Sequence, residues 1–290
     1  MTETVKALLL EHALAAASLP SLPATLKKIR TLSGHPRCTT SILGGIAGAC
    51  PAIAFAMLAR ANRLTPPEES PILDLPSALL RLGQPSCRSL LFEVEPSRGE
   101  EELLIEAWSR RSYATAVMTR CLVRQMRRVS PSWQDQNIVF TAGLLHDVGT
   151  GMAIHLATSA VQKAMARLEY EHAAPDDLIA EEIGIHPGVL GAKLLGRWGL
   201  PQLLRTLALS HQAPRNKLEE GSLSQLVQVA RILVAAIGIG HRLNPWALPI
   251  EPEDLGRINL TIADIQPILH AFLEEWDRWE MHEDFTLAEG

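Results

Sequence analysis

The feature that most constrains the fold is the run from Cys38 to Ala59, which contains no charged residue. A run of this length is long enough to cross a bilayer, because a transmembrane helix needs about 20 apolar residues. Gly, Ala and Thr dilute its strongly apolar residues, however, and this weakens membrane insertion. Pro51 lacks a backbone donor and restricts the residue before it, so it favours a break. The sequence therefore predicts two short helices, over 41–49 and 52–62, and no membrane span.

Helical periodicity dominates the rest of the chain, and the period-two alternation of strands is nearly absent. Apolar residues make up 47% of the sequence and aromatic residues only 4%. Leu and Ala supply most of the apolar share, and both favour helices. The pattern predicts an all-α fold. Its further helices are expected at 3–17, 24–33, 75–83, 101–128, 134–148, 152–171, 176–183, 187–198, 201–212, 222–239 and 262–280.

The polar, Pro- and Gly-containing segment 94–100 is the strongest internal boundary. Around it we expect four parts, an N-terminal helix, two helical parts and a helical extension, at 1–17, 18–100, 101–240 and 241–290.

Charge and cysteine usage limit the environment and the partners of the chain. The N-terminus shows no basic region followed by an apolar stretch and a cleavage site, so we expect a cytoplasmic protein. The four cysteines form no CxxC pair, which favours reduced thiols in the cytosol. A net charge of −5 gives no reason to expect a nucleic-acid or membrane partner.

Two arginines stand where the helical pattern requires apolar residues. Along 101–128, apolar residues recur at spacings of three and four, and Arg111 fills the one gap, bordered by Arg110. In 221–240, Arg231 is the single charged residue. A buried guanidinium needs a carboxylate or an anion beside it. We expect such a partner near Arg231, and the alternative is that its head group reaches water at the edge of the apolar face.

Three histidines have an unusual setting in the sequence. His146 and Asp147 interrupt an apolar segment close to the end of a predicted helix, where a carboxylate opposes the helix dipole and requires a compensating cation. His186 precedes a proline at a predicted helix start, and His211 falls on an inward-facing row. Inward-facing imidazoles either bind metals or form structural hydrogen bonds, and the latter role is the commoner one.

Several motifs together carry a family resemblance. GLLHDVG (143–149), HPGVLGAKLLGRWGLP (186–201) and LALSHQ (207–212) resemble the HD superfamily of helical, metal-dependent phosphohydrolases. In the N-terminal half, LPSLPATLKKI, CPAIAFAMLARAN and LPSALLRLG are similar to the HDOD domain, the HD-related output domain of bacterial signalling proteins. The resemblance covers about residues 18 to 240. It implies a multi-helix HDOD fold in which an N-terminal helical subdomain packs on a degenerate HD-like subdomain.

The resemblance also implies where metal ligands would stand. Catalytic HD proteins bind metal through a first His, a His-Asp pair and a final Asp, with extra histidines in two-metal members. By resemblance, the His-Asp pair falls at His146 and Asp147, and the two extra histidines fall at His186 and His211. The first His position falls at Arg111, or at Arg110 if the alignment shifts by one. The final Asp position falls at Arg231.

Two ligand positions are therefore arginines, which cannot bind a metal and stay protonated. We expect Arg231, together with Arg111, to pair with Asp147 and to take the place of the metal. No metal or other cofactor is expected. If a divalent metal is present, the resemblance implies ligands at His146, Asp147, His186 and His211.

Three functions follow from this interpretation. The favoured one is a non-catalytic regulatory protein that acts on other signalling proteins. The second is a phosphodiesterase-like, metal-dependent phosphohydrolase with a rearranged ligand set. The third is a module that binds a phosphate or nucleotide without turnover, because arginines recognise phosphate groups well.

Overall fold

A computed structural model describes residues 3–16, 18–126, 133–211, 213, 217–219, 222–246 and 248–282. These ranges are mainly helical and contain no strand, so the all-α prediction is confirmed. None of the described helices combines the length and the apolar character needed to span a membrane. In chain order the helices are α1 (Glu3–Ala15), α2 (Pro23–Gly34), α3 (Thr40–Gly48), α4 (Pro51–Arg63), α5 (Leu75–Glu93), α6 (Glu102–Gln125), α7 (Gln136–Leu145), α8 (Val148–Arg167), α9 (Pro175–Ile183), α10 (Pro187–Arg197), α11 (Gln202–Ser210), α12 (Leu223–Ala236), α13 (Pro252–Gly256) and α14 (Ile265–His282).

The uncharged run forms α3 and α4, with the predicted break between them at Pro51. The hydroxyl oxygen of Thr39 caps α3 by accepting a hydrogen bond from the backbone N–H of Ile42 at 3.3 Å. Pro51 begins α4, where its missing N–H leaves no bond unmade. Nearly every side chain of α4 is buried. The run is therefore apolar because it lies in the core of the N-terminal half.

Helix α5 is longer than the predicted helix 75–83. The chain kinks at Gly83, whose φ of 72° and ψ of 160° are not helical, and then continues as a helix to Glu93. A glycine with positive φ normally ends a helix, which is why the sequence pattern indicated a stop. Pro85 lies in the first turn after the kink, where proline is tolerated. The second half of α5 buries Cys87, Leu90 and Leu91, whose helical spacing lies beyond the predicted end of the helix.

Helix α6 is the central helix of the C-terminal half and packs against α7, α8, α12 and α14. Its predicted apolar face is buried, including the position in the gap, at Leu104, Trp108, Arg111, Thr115, Met118, Leu122 and Met126. The last two positions of the predicted helix, 127 and 128, lie outside the described residues. The helix therefore places one guanidinium inside the core of this half.

Helices α7 and α8 differ from the predicted helices 134–148 and 152–171. Helix α7 ends at Leu145, His146 follows as its C-cap, and α8 begins at Val148. Asp147 consequently occupies the N-cap position of α8. The carboxylate therefore follows the C-terminal end of α7, as expected, and also stands at the N-terminal end of α8, which favours a negative charge there.

Segment 94–100 is joined to the N-terminal half by backbone hydrogen bonds. The N–H of Ser21 donates to the carbonyl of Glu95 at 3.0 Å, and the N–H of Ser97 donates to the carbonyl of Ser21 at 2.8 Å. The N-terminal helix α1 packs on α8 and α10, and α14 of the extension packs on α6. A division into 1–17, 18–100, 101–240 and 241–290 remains our proposal.

Candidate functional site

Helices α6, α7, α8, α11 and α12 bring five of the six predicted residues together. We call these residues the HD-like cluster, and they are Arg111, His146, Asp147, His211 and Arg231. Arg111 lies on α6, and His146 and Asp147 form the turn between α7 and α8. His211 follows α11, and Arg231 lies on α12.

Asp147 is the centre of this cluster and is almost completely buried. Its Oδ2 contacts the Arg111 guanidinium, and its Oδ1 accepts a hydrogen bond from the Thr150 hydroxyl. Its backbone carbonyl accepts a hydrogen bond from the indole Nε1 of Trp108 at 2.8 Å. Burial raises the pKa of Asp147, but the nearby charge of Arg111 outweighs this effect and holds the pKa well below its usual range. The carboxylate is therefore ionised and paired.

The two cluster histidines have equivalent hydrogen bonds. Nδ1 of His146 lies 2.6 Å from the carbonyl oxygen of Gly143, and Nδ1 of His211 lies 3.0 Å from that of Ala208. The ring centroids are 5.1 Å apart and the rings are nearly perpendicular. In both rings Nε2 is buried and has no hydrogen-bond partner among the described residues. Because a carbonyl only accepts, Nδ1 carries the proton and Nε2 presents a lone pair.

Both imidazoles are neutral at physiological pH. Burial lowers the pKa of His146 to about 3, although the charge of Asp147 opposes this shift. Burial and the positive charge of Arg231 lower the pKa of His211 well below its usual value.

Arg231 lies in the cluster, as predicted, but its hydrogen-bond partner among the described residues differs from the predicted one. It is partly buried and donates a hydrogen bond from Nη1 to the carbonyl oxygen of His211 at 3.2 Å. The direct ion pair with Asp147 is made by Arg111, so the expected pairing is found for Arg111 and not for Arg231. The geometric reason is that α6 packs against both helices that this turn joins, so the guanidinium of Arg111 reaches the Asp147 carboxylate directly.

His186 lies apart from the cluster. It is the N-cap of α10, where its Nδ1 accepts a hydrogen bond from the backbone N–H of Gly188 at 3.1 Å. Its Nε2 is 3.8 Å from the Asp177 carboxylate. Within the described ranges no hydrogen bond or ring contact joins it to the cluster histidines. Its observed contacts are those of a helix cap.

Asp176 is a member of the site that the sequence did not indicate. It is buried in the first turn of α9. One oxygen of Asp176, one oxygen of Asp147 and one ring nitrogen of His211 all lie within 4.8 Å of one another. An acidic residue in a first helical turn has an ordinary explanation in the helix dipole, so nothing in the sequence distinguished it.

The family of the chain follows from a comparison with family models. The HDOD domain model matches residues 19–214. The chain belongs to the HDOD domain family. This confirms the resemblance drawn from the motifs. No curated protein matches the sequence.

Solved structures share this HDOD fold. The MmoQ response regulator from Methylococcus capsulatus is 22% identical, with a TM-score of 0.65 over 88% of this chain and 98% of that chain. A virulence factor from Campylobacter jejuni is 15% identical, with a TM-score of 0.60 over 95% and 93%. An HDOD domain protein of unknown function from Geobacter sulfurreducens is 16% identical, with a TM-score of 0.52 over 98% and 99%. At these identities the likeness shows the fold.

Close packing explains two glycines at the HD-like cluster. A Cβ atom at Gly149 would lie 1.8 Å from the carbonyl oxygen of Pro187, because α8 and α10 touch there through their backbones. A Cβ atom at Gly240 would lie 2.8 Å from Cβ of Arg111, and Gly240 also has a φ of 76°. The first contact fixes the start of α8, and the second covers the stem of the buried arginine.

The residues of the HD-like cluster suit a hydrolytic metal poorly. The free lone pairs on the two histidines and the nearby oxygen of Asp176 are donors that a divalent cation accepts. Both oxygens of Asp147, however, are already engaged by Arg111 and Thr150. A metal at this position would also meet the positive charges of Arg111 and Arg231, which neither bind it nor lose their protons.

Proposed function

We propose that this HDOD protein is a non-catalytic regulatory protein of bacterial signal transduction. It acts in the cytoplasm by binding other signalling proteins, or a ligand at its HD-like cluster, and it uses no metal or other cofactor. The observation that carries the proposal is the contact between Arg111 and Asp147, which places a fixed cation on the carboxylate that a metal would need. The similarity of fold to MmoQ, which is a response regulator, supports the signalling role.

Elemental analysis and a hydrolysis assay test this proposal. The purified protein should contain far less than one Mn, Fe or Mg ion per chain and should not hydrolyse a cyclic dinucleotide. Stoichiometric metal together with turnover would overturn the proposal.

A variant with restored ligand types provides the matched comparison. Arg111→His combined with Arg231→Asp removes both guanidinium groups and supplies the two ligand types that the HD resemblance implies at these positions. This variant should gain bound Mn²⁺ and a Mn²⁺-dependent rise in melting temperature, because binding to the folded state stabilises it. If it takes up no more metal than the wild type, the arginines are not what excludes the ion.

A metal-dependent phosphohydrolase with a rearranged ligand set is the second candidate. The proximity of Asp147, Asp176 and His211 favours it, since carboxylate and imidazole ligands suit catalytic divalent cations. In this case Asp176→Asn would abolish metal binding in the wild-type background. Under the favoured proposal the same change leaves the metal content at its low level.

A further inference from the structure

A cavity of about 360 Å³ opens beside the HD-like cluster. It is lined by residues of α6 and α12, by the segment before α9 and by the chain after α12. Small-molecule sites usually have volumes of about 300–1,000 Å³, so this cavity has room for one small ligand. Arg111 and Arg231 line it together with Trp246 and His172.

The charged part of the lining favours an anion. Of the lining residues that the structure describes, Arg111 and Arg231 are the ones with a formal charge at neutral pH. A guanidinium has five N–H donors. Within the described chain, Arg111 makes one hydrogen bond, to Asp147, and Arg231 makes one, to the carbonyl oxygen of His211. Nε of each arginine is buried, and no described residue supplies an acceptor for it. The donors of the two arginines are therefore far from saturated.

The formal charges that face the cavity are both positive. Asp147 and Asp176 are the carboxylates whose charges act on Arg231, and neither of them lines the cavity. Because an arginine stays protonated in proteins, the cavity wall presents the two guanidinium charges to a ligand.

An aromatic side chain supplies a second kind of contact. Trp246 is 47% exposed. Its Nε1 donates to the carbonyl of Leu168 at 3.2 Å, its backbone N–H donates to Oδ1 of Asn244 at 3.2 Å, and its ring centroid lies 5.5 Å from that of His172. These contacts fix the ring while leaving much of it open to solvent. A fixed, exposed aromatic ring is preorganised for stacking with a flat ligand.

We propose that this cavity binds a phosphate monoester of an aromatic compound, of which nucleoside monophosphates are the common type. Arg231 and Arg111 hold the phosphate, and Trp246 stacks on the ring of the ligand. The volume suits a single nucleotide better than a dinucleotide. The inference rests on the proposed function, because it supplies the ligand that a non-catalytic HD-like cluster would sense.

Calorimetric titration of the full chain with GMP, guanosine and inorganic phosphate tests the proposal. GMP should bind at least tenfold more tightly than either guanosine or phosphate, since each of these lacks one of the two contacts. Two results would overturn the proposal. One is equal affinity for phosphate and GMP, and the other is no detectable binding of GMP at millimolar concentration.

Substitutions assign the two contacts. Arg231→Gln should weaken GMP binding about tenfold or more, because hydrogen bonds to charged groups are among the strong ones. Trp246→Ala should weaken it about tenfold, in keeping with base stacking on aromatic residues. Arg197→Ala and Tyr170→Ala are the matched controls, since both side chains are exposed and neither lines the cavity.

The GMP affinities still test the two contacts if one variant folds poorly. Arg231→Lys keeps the charge but loses the planar donor set, so it should retain part of the affinity that Arg231→Gln loses. Unchanged GMP affinity in folded Trp246→Ala and Arg231→Gln proteins would overturn the assignment. The two proposals also fail in different ways. Absence of GMP binding with no metal and no turnover refutes the ligand alone, whereas hydrolysis of GMP or of a cyclic dinucleotide refutes the non-catalytic function.

Discussion

Replacing Arg111 by methionine tests the central ion pair. Methionine keeps an unbranched stem of similar length, so the packing under Gly240 is largely preserved while the charge is removed. The Asp147 carboxylate then loses its charge partner but keeps the hydroxyl of Thr150. The change therefore isolates the electrostatic contribution of the guanidinium.

The expected cost follows from the burial of the pair. The exposed fractions of the two side chains are 8% for Arg111 and 1% for Asp147, so solvent screens the pair very little. Removing one partner of a buried ion pair costs about 3–5 kcal/mol. Because the carboxylate can take up a proton and keeps one hydrogen bond, we expect the lower end, about 3 kcal/mol at pH 7. This is a large part of the total stability of a typical domain, about 5–15 kcal/mol.

Urea unfolding followed by circular dichroism measures this cost. Arg60→Met is the matched control, because Arg60 pairs with Glu93 at 3.0 Å with exposed fractions of 45% and 50%. An exposed pair contributes about 0–1 kcal/mol, so the same substitution should have little effect there. A double-mutant cycle with Asp147→Asn then gives the coupling energy of the buried pair.

The pH dependence provides a second measurement. In the wild type the pKa of Asp147 is depressed, so its contribution to stability is full above its unfolded value of about 4 and is lost below it. Without Arg111, the largest effect that opposes burial is lost, so the pKa of Asp147 rises. The gap between wild type and variant should therefore narrow from pH 7 to pH 4. A cost below about 1 kcal/mol, or strictly additive effects in the cycle, would refute a buried, charged pair.

Two further predictions concern the histidines and the glycines. Because burial lowers the pKa values of His146 and His211, the unfolded state binds more protons below about pH 6.5, and the unfolding free energy should fall on acidification by up to about 1.4 kcal/mol per pH unit for each histidine. His211→Asn should remove one of these two contributions in urea titrations between pH 7 and 5, and an unchanged slope would contradict the neutral imidazole. Gly149→Ala should lower the melting temperature strongly or prevent folding, because its Cβ would overlap a backbone carbonyl oxygen. Gly45→Ala, on an exposed helical position with nothing within 4 Å, should instead raise the melting temperature slightly, and equal effects of the two changes would contradict the close backbone contact.

The sequence predicts most of this fold because its helices alternate strongly between apolar and polar faces. Arg111 could be recognised because a charge in an apolar row is a contrast that periodicity reveals. The break at Pro51 could be predicted because proline acts locally. The HDOD family followed from the order of several motifs, none of which is decisive alone.

Other features depend on three-dimensional contacts that leave no local signal. Asp176 lies among residues typical of a helix start, and only the packing of α9 buries it against the cluster. The continuation of α5 after Gly83 was hidden because glycine followed closely by proline usually marks a stop. Which arginine reaches Asp147 depends on how α6 passes the α7–α8 turn, and spacing along the chain does not fix that.

The contact between Gly240 and Arg111 has an evolutionary consequence. Position 240 has no room for a side chain while the arginine stem lies beneath it. The closest approach is to Cβ of Arg111, an atom that every residue except glycine carries, and Gly240 also has a positive φ. Glycine is therefore favoured at position 240 whichever side chain stands at position 111. The charge in the core can change while the glycine stays, so the buried centre of the protein constrains a residue of the segment after α12 but is not constrained by it in return.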